Sequence, residues 1–390
     1  MVLLLFWISV GLIIYTYFVF PALVFLRGLI WHRPYKSEEL VPPPSVSIVI
    51  AAYNEEKAIG EKLDNILSLD YPQDRLEVIL ASDGSTDNTN AIIQRYKERG
   101  VKLLPLPRLG KAAALNAAVA ASKGEILVFS DANSIYKSDA VRALVKPFAD
   151  ANVGGVAGDQ RYLKKNKTGS AGIGERIYWN FDRVMKQSES RAGNTISATG
   201  AIYAIRRSLF QTVQEGVTDD FVTSTGVIVQ GYRLVFAPDA VAYEPVAAAS
   251  SVEFGRKVRV ITRGLRAVFN SRGQLLNPFR YGFYAIQLFS HKVLRRLIVY
   301  PLLLLLFVTP FLWRINLFYQ LAMIGQLAFY SLSVFGLLID RSRSRRLKIL
   351  TIPFYFCLVN AAALIASLNV LRGRQIKRWE PQREIEGKQI

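Results

Sequence analysis

The sequence has a single cysteine, Cys357, so no disulfide can form within the chain. That cysteine lies inside an apolar run, which agrees with a reducing compartment for the polar part of the chain. Acidic residues are also scarce: 30 Asp and Glu stand against 49 Lys and Arg, a formal charge of +19. Such a surplus raises the question of nucleic acid. Much of it, however, flanks apolar segments, where it would meet anionic lipid headgroups. Nucleic acid is therefore not expected as a partner, and membrane lipid is. The N-terminus lacks the basic start and the small-residue cleavage site of a secretion signal, and its apolar stretch is too long for one. No internal repeat or low-complexity segment is evident, which sets repeat architectures aside.

What the chain does have is length and apolar residues gathered in blocks. Its 390 residues are enough for one or two domains with a full core. Residues 2–30 carry one charge, Arg27, and exceed the roughly 20 residues a spanning helix needs. A retained anchor is expected there. Three further apolar runs, about 297–313, 315–339 and 349–371, crowd the C-terminal end. Arg27, His32, Arg33 and Lys36 follow the anchor, and the basic stretch DRSRSRRLK separates the last two runs. Positive residues favour the cytosolic side, so the expectation is a multi-pass protein of the cell membrane (inner or plasma) with a cytosolic polar domain. One conflict remains in this scheme: counting four spans puts the basic tail RGRQIKRWEPQR outside, so either the tail is external or one run does not cross. The reading divides the chain into an anchor at 1–40, a soluble domain at 41–270, an interfacial amphipathic segment at 271–296, transmembrane helices at 297–372 and a basic tail at 373–390.

Within the soluble domain, VPPPS at 41–45 is a stiff lead-in. Apolar runs then alternate with helical patterns. Strands are predicted at 46–52, 76–82, 102–104 and 124–131, and helices at 55–69, 86–98 and 111–121. This alternation predicts a parallel sheet covered by helices on both faces. Short strands (VGGVAG, AIYAIR, RLVFAP, AVAYE) and helices around 170–190, 218–230 and 252–270 follow. Ligands of such sheets bind beyond the carboxyl ends of the strands, and Asp83 and Asp131 stand at two of those ends.

Four polar clusters sit at strand ends or helix starts. YNEE at 53–56 reads as a helix cap with first-turn glutamates or as part of a site. In SDGSTD at 82–87 a cap and turn would explain Gly84, Ser85 and Asp87, whereas Asp83 ends an apolar strand. SDANS at 130–134 places a carboxylate and an amide on one loop edge, a donor set for Mg2+ or Mn2+ shared with a diphosphate, or an Asx turn. TDDF at 218–221 is an N-cap or a pair of reactive carboxylates.

Taken together, VSIVIAAYNEE, SDGSTDNT, GKAAALNAAV, FSDANS, TGAIYAIRRSLF and TDDFVTSTGVIVQGYRLVFAPDAVAYE resemble the family 2 inverting glycosyltransferases of the GT-A fold, over about residues 45–270. The resemblance implies an α/β, Rossmann-like nucleotide-sugar-binding domain with one N-terminal and about three C-terminal transmembrane helices. It implies that Tyr53, Glu55 and Asp83 line the nucleotide base and ribose and that Lys111 lies near the phosphates or the donor sugar. Asp131 and Asn133 would then hold Mg2+ or Mn2+, and Gly200 and Ala201 would shape the acceptor side. Asp220 matches the catalytic base, and Asp219 beside it should raise its pKa by like-charge repulsion. Two departures stand out. The acidic motif ends in Asn133 rather than Asp, a weaker ligand. The Gln-x-x-Arg-Trp of processive synthases reads Arg256-Lys-Val-Arg259-Val260, without the glutamine or the tryptophan. Arg256, Arg259, Arg263 and Arg266 share one helical face, either as a solvated basic face or as a clamp for donor diphosphate or lipid phosphate.

The function expected is transfer of a sugar from a nucleotide sugar, a UDP-sugar by first choice, to a lipid-linked or polysaccharide acceptor. A processive synthase, whose channel self-association would supply, and a polyprenyl-phosphate glycosyltransferase are the enzyme alternatives. A nucleotide-binding protein without catalysis is the alternative outside enzymes.

Overall fold

A computed structural model describes residues 1–162, 170–244, 250–342 and 348–374. Most of the basic stretch 340–348 and of the tail 373–390 lies outside the described residues. The anchor is one long helical stretch, α1 (Val2–Ile30). The soluble domain is built on β1 (Val46–Ala52), α2 (Ile59–Leu67), β2 (Leu76–Asp83), β3 (Val101–Leu106), α3 (Lys111–Ala120), β4 (Ile126–Ser130), β5 (Ile135–Tyr136) and α4 (Ala140–Val145). It continues through β6 (Val153–Tyr162), α5 (Ser170–Ala192), β7 (Tyr203–Arg206), α6 (Asp219–Val229), β8 (Arg233–Glu244) and α7 (Ser250–Arg266).

The strands form one eight-stranded sheet in the order β3-β2-β1-β4-β7-β6-β8-β5. All seven residues of β1 are buried, because helices cover both faces. Ile48 and Ile50 pack with Ile59, Leu63 and Ile66 of α2 on one face. Val49 and Ala51 pack with Ala114, Leu115 and Ala118 of α3 on the other. Each such Val, Leu or Ile side chain removed from water contributes about 1.5–3 kcal/mol.

The sheet is mixed, not parallel throughout. β1 to β4 run parallel and β6 runs parallel to β8, but β7 is antiparallel to both β4 and β6. The cause lies at Gly200, which packs against Asp131 just beyond the carboxyl end of β4. A strand that starts at that edge must run back the other way. RLVFAP and AVAYE, expected as two strands, are one: a register shift between Gly158/Asp159 of β6 absorbs Pro238 to Ala240 of β8.

After the domain come α8 (Phe283–Leu297) and α9 (Val299–Leu312), which meet at a 48° bend. Then follow α10 (Leu317–Ser342) and α11 (Lys348–Leu371). Three stretches are long and apolar enough to cross a membrane, Val2–Ile30, Leu317–Leu338 and Leu350–Leu371, and the bent pair would make a fourth. α8 is docked on the domain: Tyr284 Oη donates to the Ile196 carbonyl at 2.9 Å and Gln287 Nε2 to that of Asn194 at 3.1 Å. α11 runs beside α7, with Lys257 over the Tyr355 ring, Ala362, Ala363 and Ala366 against Ile261 and Leu265, and Arg266 donating to the carbonyls of Gly373 and Arg374.

Candidate active site

The crevice lies where β1, β2 and β4 end. After β1 the chain must turn sharply, and Asn54 does so at φ 52°, a left-handed conformation that Asn tolerates better than most residues. Its side chain accepts from Thr86 N–H at 2.8 Å, and its own N–H donates to Ser85 Oγ at 3.1 Å. The YNEE and SDGSTD turns are thereby stitched together. Glu55, buried, has its N–H on Thr89 Oγ1 at 2.7 Å.

Asp83 is 1% exposed, and a carboxylate so placed needs donors. It has three: the Arg108 guanidinium on Oδ2, and the N–H groups of Leu109 and Gly110 on Oδ1 at 2.7 and 2.8 Å. Arg108 in turn lies 3.3 Å over the Tyr53 ring, a cation–π contact. Gly84 permits this approach, since a Cβ there would come within 2.8 Å of Arg108 N. Tyr53, Asp83 and Arg108 therefore form one corner.

The same loop delivers Lys111 to the centre. Its ammonium is 2.8 Å from Asp131 Oδ1 and 3.2 Å from Asp219 Oδ2. Burial alone would lower its pKa, but the Asp131 and Asp219 carboxylates more than offset this and raise it. Asp219 and Asp220 occupy the first turn of α6, where the helix dipole favours negative charge. Asp220 accepts from Phe221 N–H at 2.7 Å. Burial, then the neighbouring Asp219 charge, push its pKa up to about 6, with Lys111 acting in the opposite direction. Glu215, Lys111, Asp219 and Arg263 line one small recess.

The structure thus brings Lys111, Asp131, Asp219 and Asp220 together, with the Tyr53–Asp83 corner joined to them through residues 108–111. Asn133 is exposed on the Asp131 loop. Of the basic row, Arg256 is held by the buried Glu253 at 2.8 Å, and Arg259 is half-buried on the same helix. It is Arg263 that reaches the crevice.

A divalent ion fits this donor set in one way. Among the described residues no three His, Cys, Asp or Glu converge to cage a metal. Mg2+ and Mn2+ are often held by one or two carboxylates together with substrate phosphates, and Asp131 offers such a carboxylate. Gly200 leaves it space: a Cβ there would lie 2.7 Å from Asp131 Oδ2.

Two residues escaped sequence reasoning, and a third, Arg263, reads in the sequence only as one of a row of four that could clamp a diphosphate. Arg108 carries no local signature. Lys62 did leave a signal, a charge on the apolar face Ile59–Leu63–Ile66 of α2. Fully buried, it donates to the Ser134 carbonyl at 2.6 Å and lies 3.8 Å over the Tyr136 ring. Desolvation lowers its pKa to about 7, against the pull of Asp131 and Glu244. It braces the Asp131–Ser134 loop from beneath.

Comparison with known proteins agrees with this geometry. Residues 47–214 match the family described as glycosyl transferase family 2. The probable glycosyltransferase YdaM of Bacillus subtilis is 30% identical over 223 residues, 53% of this chain and 52% of that one. The poly-beta-1,6-N-acetyl-D-glucosamine synthase of Staphylococcus epidermidis is 28% identical over 245 residues, 58% of each. The chain thus spans about half the length of the curated relatives it matches. In three dimensions it resembles the mannosyltransferase PcManGT of Pyrobaculum calidifontis, solved with GDP-Man and Mn2+, at a TM-score of 0.69 and 24% identity over 95% of this chain and 100% of that one. The resemblance read from the motifs is borne out: this chain carries a glycosyl transferase family 2 domain within a GT-A fold.

Proposed function

We propose that the chain is a membrane-bound inverting glycosyltransferase that moves a sugar from a nucleotide-sugar donor to a lipid-linked or polysaccharide acceptor. The observation that carries this reading is the convergence of Asp131, Lys111, Asp219 and Asp220 from three separate elements. Tyr53 faces the nucleoside of the donor, and Asp83 fixes the Arg108 guanidinium and the backbone of residues 109 and 110 beside it. Lys111 and Arg263 face its diphosphate and neutralise the charge that develops as it leaves. A divalent ion on Asp131, and on Asn133 beside it, would add Lewis-acid stabilisation of that leaving group. Asp220 accepts the proton of the acceptor hydroxyl, and attack opposite the diphosphate inverts the anomeric centre. The raised pKa of Asp220 suits this task near neutral pH.

The donor reading stays with UDP-sugars, and the polymer-forming relatives favour an N-acetylhexosamine. The decisive experiment is a screen of nucleotide sugars, with and without Mn2+, scored for released nucleotide diphosphate and for product length. A single added sugar supports one transfer per encounter and a ladder supports a processive synthase. Absence of turnover with every donor refutes the enzyme reading.

The placement of α11 bears on the membrane. α11 lies along α7, and Arg266 bonds the backbone where the chain leaves α11. We infer that α11 rests at the membrane surface and that α1, the apolar stretch from Leu297 through α9, and α10 cross, with α8 staying docked on the domain. Both basic stretches then lie on the cytosolic side with the catalytic domain, which removes the conflict noted in the sequence. A C-terminal fluorescent-protein fusion that lights up only in the cytosol tests it. A dark fusion in fully inserted protein would overturn the assignment.

A further inference from the structure

One ammonium joins the two acidic sides of the crevice. Lys111 Nζ lies 2.8 Å from Asp131 Oδ1 and 3.2 Å from Asp219 Oδ2. The other Asp131 oxygen, Oδ2, stands so close to Gly200 that a Cβ there would meet it at 2.7 Å. Among the described residues no second group hydrogen-bonds to this carboxylate or pairs with it. Asp131 is thus held by Lys111 at one oxygen and walled by backbone at the other. Both side chains are partly buried, so solvent screens the pair less than it would at the surface.

The part of this arrangement that can move is the lysine stem. Its backbone is fixed, because Asp83 accepts from the N–H groups of Leu109 and Gly110, and Gly110 turns the chain into α3 at φ 101°. Four carbons then carry a compact charge that can swing without disturbing the loop. The Asp131 and Asp219 carboxylates raise its pKa, so the charge persists through the neutral range.

These contacts set up a competition. A divalent ion on Asp131 needs the oxygen that Lys111 occupies, and Mg2+ or Mn2+ on so few carboxylates depends on substrate phosphates for its remaining ligands. The tethered ammonium meets Asp131 at high effective concentration, so an ion arriving alone is at a disadvantage. A nucleoside diphosphate changes both sides of the balance. It brings further oxygen ligands for the ion and a second anion for the ammonium.

We propose that Lys111 is a built-in stand-in cation, which holds Asp131 before the donor binds and yields it to a divalent ion only when a diphosphate draws the ammonium away. The inference rests on the reading of Asp131 as the metal carboxylate and of Lys111 as a phosphate partner. Ion and nucleotide then enter as a unit, each raising the other's affinity by the same factor.

The test titrates the full chain in detergent with Mn2+, free ion being read by electron paramagnetic resonance, so that no turnover is needed. Titrations are run without nucleotide and with saturating UDP or GDP, and thermal unfolding of each variant checks the fold. Wild type should bind Mn2+ about tenfold or more tightly with one of the two nucleotides. Lys111→Met and Lys111→Gln should each tighten nucleotide-free Mn2+ about tenfold, and the gain from nucleotide should shrink. Lys111→Arg, which keeps a cation on Asp131, should stay close to wild type. Arg263→Gln removes a positive charge from the same recess without freeing Asp131, so it should give only a small part of the gain. Asp131→Asn added to Lys111→Met should abolish it. Unchanged nucleotide-free affinity in both neutral Lys111 variants, while wild type binds Mn2+ with nucleotide, overturns this inference and leaves the catalytic reading standing. An equal gain in Arg263→Gln also overturns it, since net charge alone would then be the cause, as does a gain that survives Asp131→Asn. Absence of Mn2+ binding by the wild type with either nucleotide overturns the metal reading of Asp131 and this inference with it.

Discussion

Acidifying the assay should switch transfer off along a limb that belongs to Asp220. Its pKa is pushed to about 6, so the carboxylate is about 90% ionised at pH 7 and about 10% at pH 5. The rate kcat/KM for a saturable acceptor should fall about tenfold per pH unit below the limb. Two neighbours act on this value with opposite signs, which makes the reasoning testable beyond a single midpoint. Asp219 raises it by like-charge repulsion, and Lys111 lowers it. Asp219→Asn should therefore move the limb to lower pH, doubly so because Lys111 is released from its 3.2 Å contact with Asp219. Lys111→Met should move the limb to higher pH. Both substitutions will also lower the plateau, so the position of the limb is the readout and not its height. Asp220→Asn should remove the limb and cost roughly 10²–10⁴-fold in kcat/KM. The assay is release of nucleotide diphosphate in purified membranes across pH 4.5–9. If the two neighbouring variants shift the limb the same way, or if Asp220→Asn keeps it, Asp220 is not the base.

Three further outcomes follow from the geometry. Gly200→Ala would set a methyl 2.7 Å from Asp131 Oδ2. The displaced carboxylate should cost roughly 10²-fold in kcat/KM with little change in Tm, and a full-rate variant would detach Gly200 from the site. Lys62 titrates at 10.5 when unfolded and at about 7 when folded. Between those values the unfolded chain holds more protons, so wild-type stability should rise with pH from about 7 to 10.5, by up to roughly 1.4 kcal/mol per unit. In Lys62→Met that slope should flatten, as followed by thermal unfolding across the range. Arg233 donates to the carbonyls of Arg33, Pro34, Ser190 and Gly193 at 3.0–3.2 Å. Arg233→Ala leaves these acceptors without their donor, and a loss of about 3 kcal/mol is expected, read as a lower Tm with partial rescue by Arg233→Lys.

The parts of the fold that were legible in the sequence are those written in local composition. β1, β2 and β4 stand out because strands covered on both faces must be apolar throughout, and Asp83 and Asp131 stand out because carboxylates end them. Direction of pairing is not local. AIYAIR reads the same whether parallel or antiparallel, and only the contact of Gly200 with Asp131 fixes which it is. Pro238 misled in the same way: proline inside a strand reads as a terminator, yet it sits at a bulge. Within the site, the acidic residues were found because each had a local oddity, whereas Arg108 and Arg263 act only through what they face across the crevice. The run at 349–371 reads as a span by hydropathy and is long and apolar enough to be one, whereas its packing against a partner, α7, is not written in its composition.

That partner ties the two halves of the molecule together. α7 presents Arg263 to Asp219 and Lys111 on one side, while Ile261 and Leu265 on the other pack against Ala362, Ala363 and Ala366 of α11. The three alanines allow close approach, so α7 cannot shift by much without moving α11 or opening a void, which is costly in a packed interior. The position of Arg263 beside Lys111 and Asp219 is thereby set by α11. Ala363→Leu should test this link. It forces α7 away from α11, and the expected signature is a raised KM for the nucleotide sugar, with the Asp220 limb of the pH profile left in place because Asp219, Asp220 and Lys111 stay together. A variant that loses the limb as well would show that the disturbance has spread through the whole domain, and a variant with unaltered KM would show that α11 does not govern the arginine.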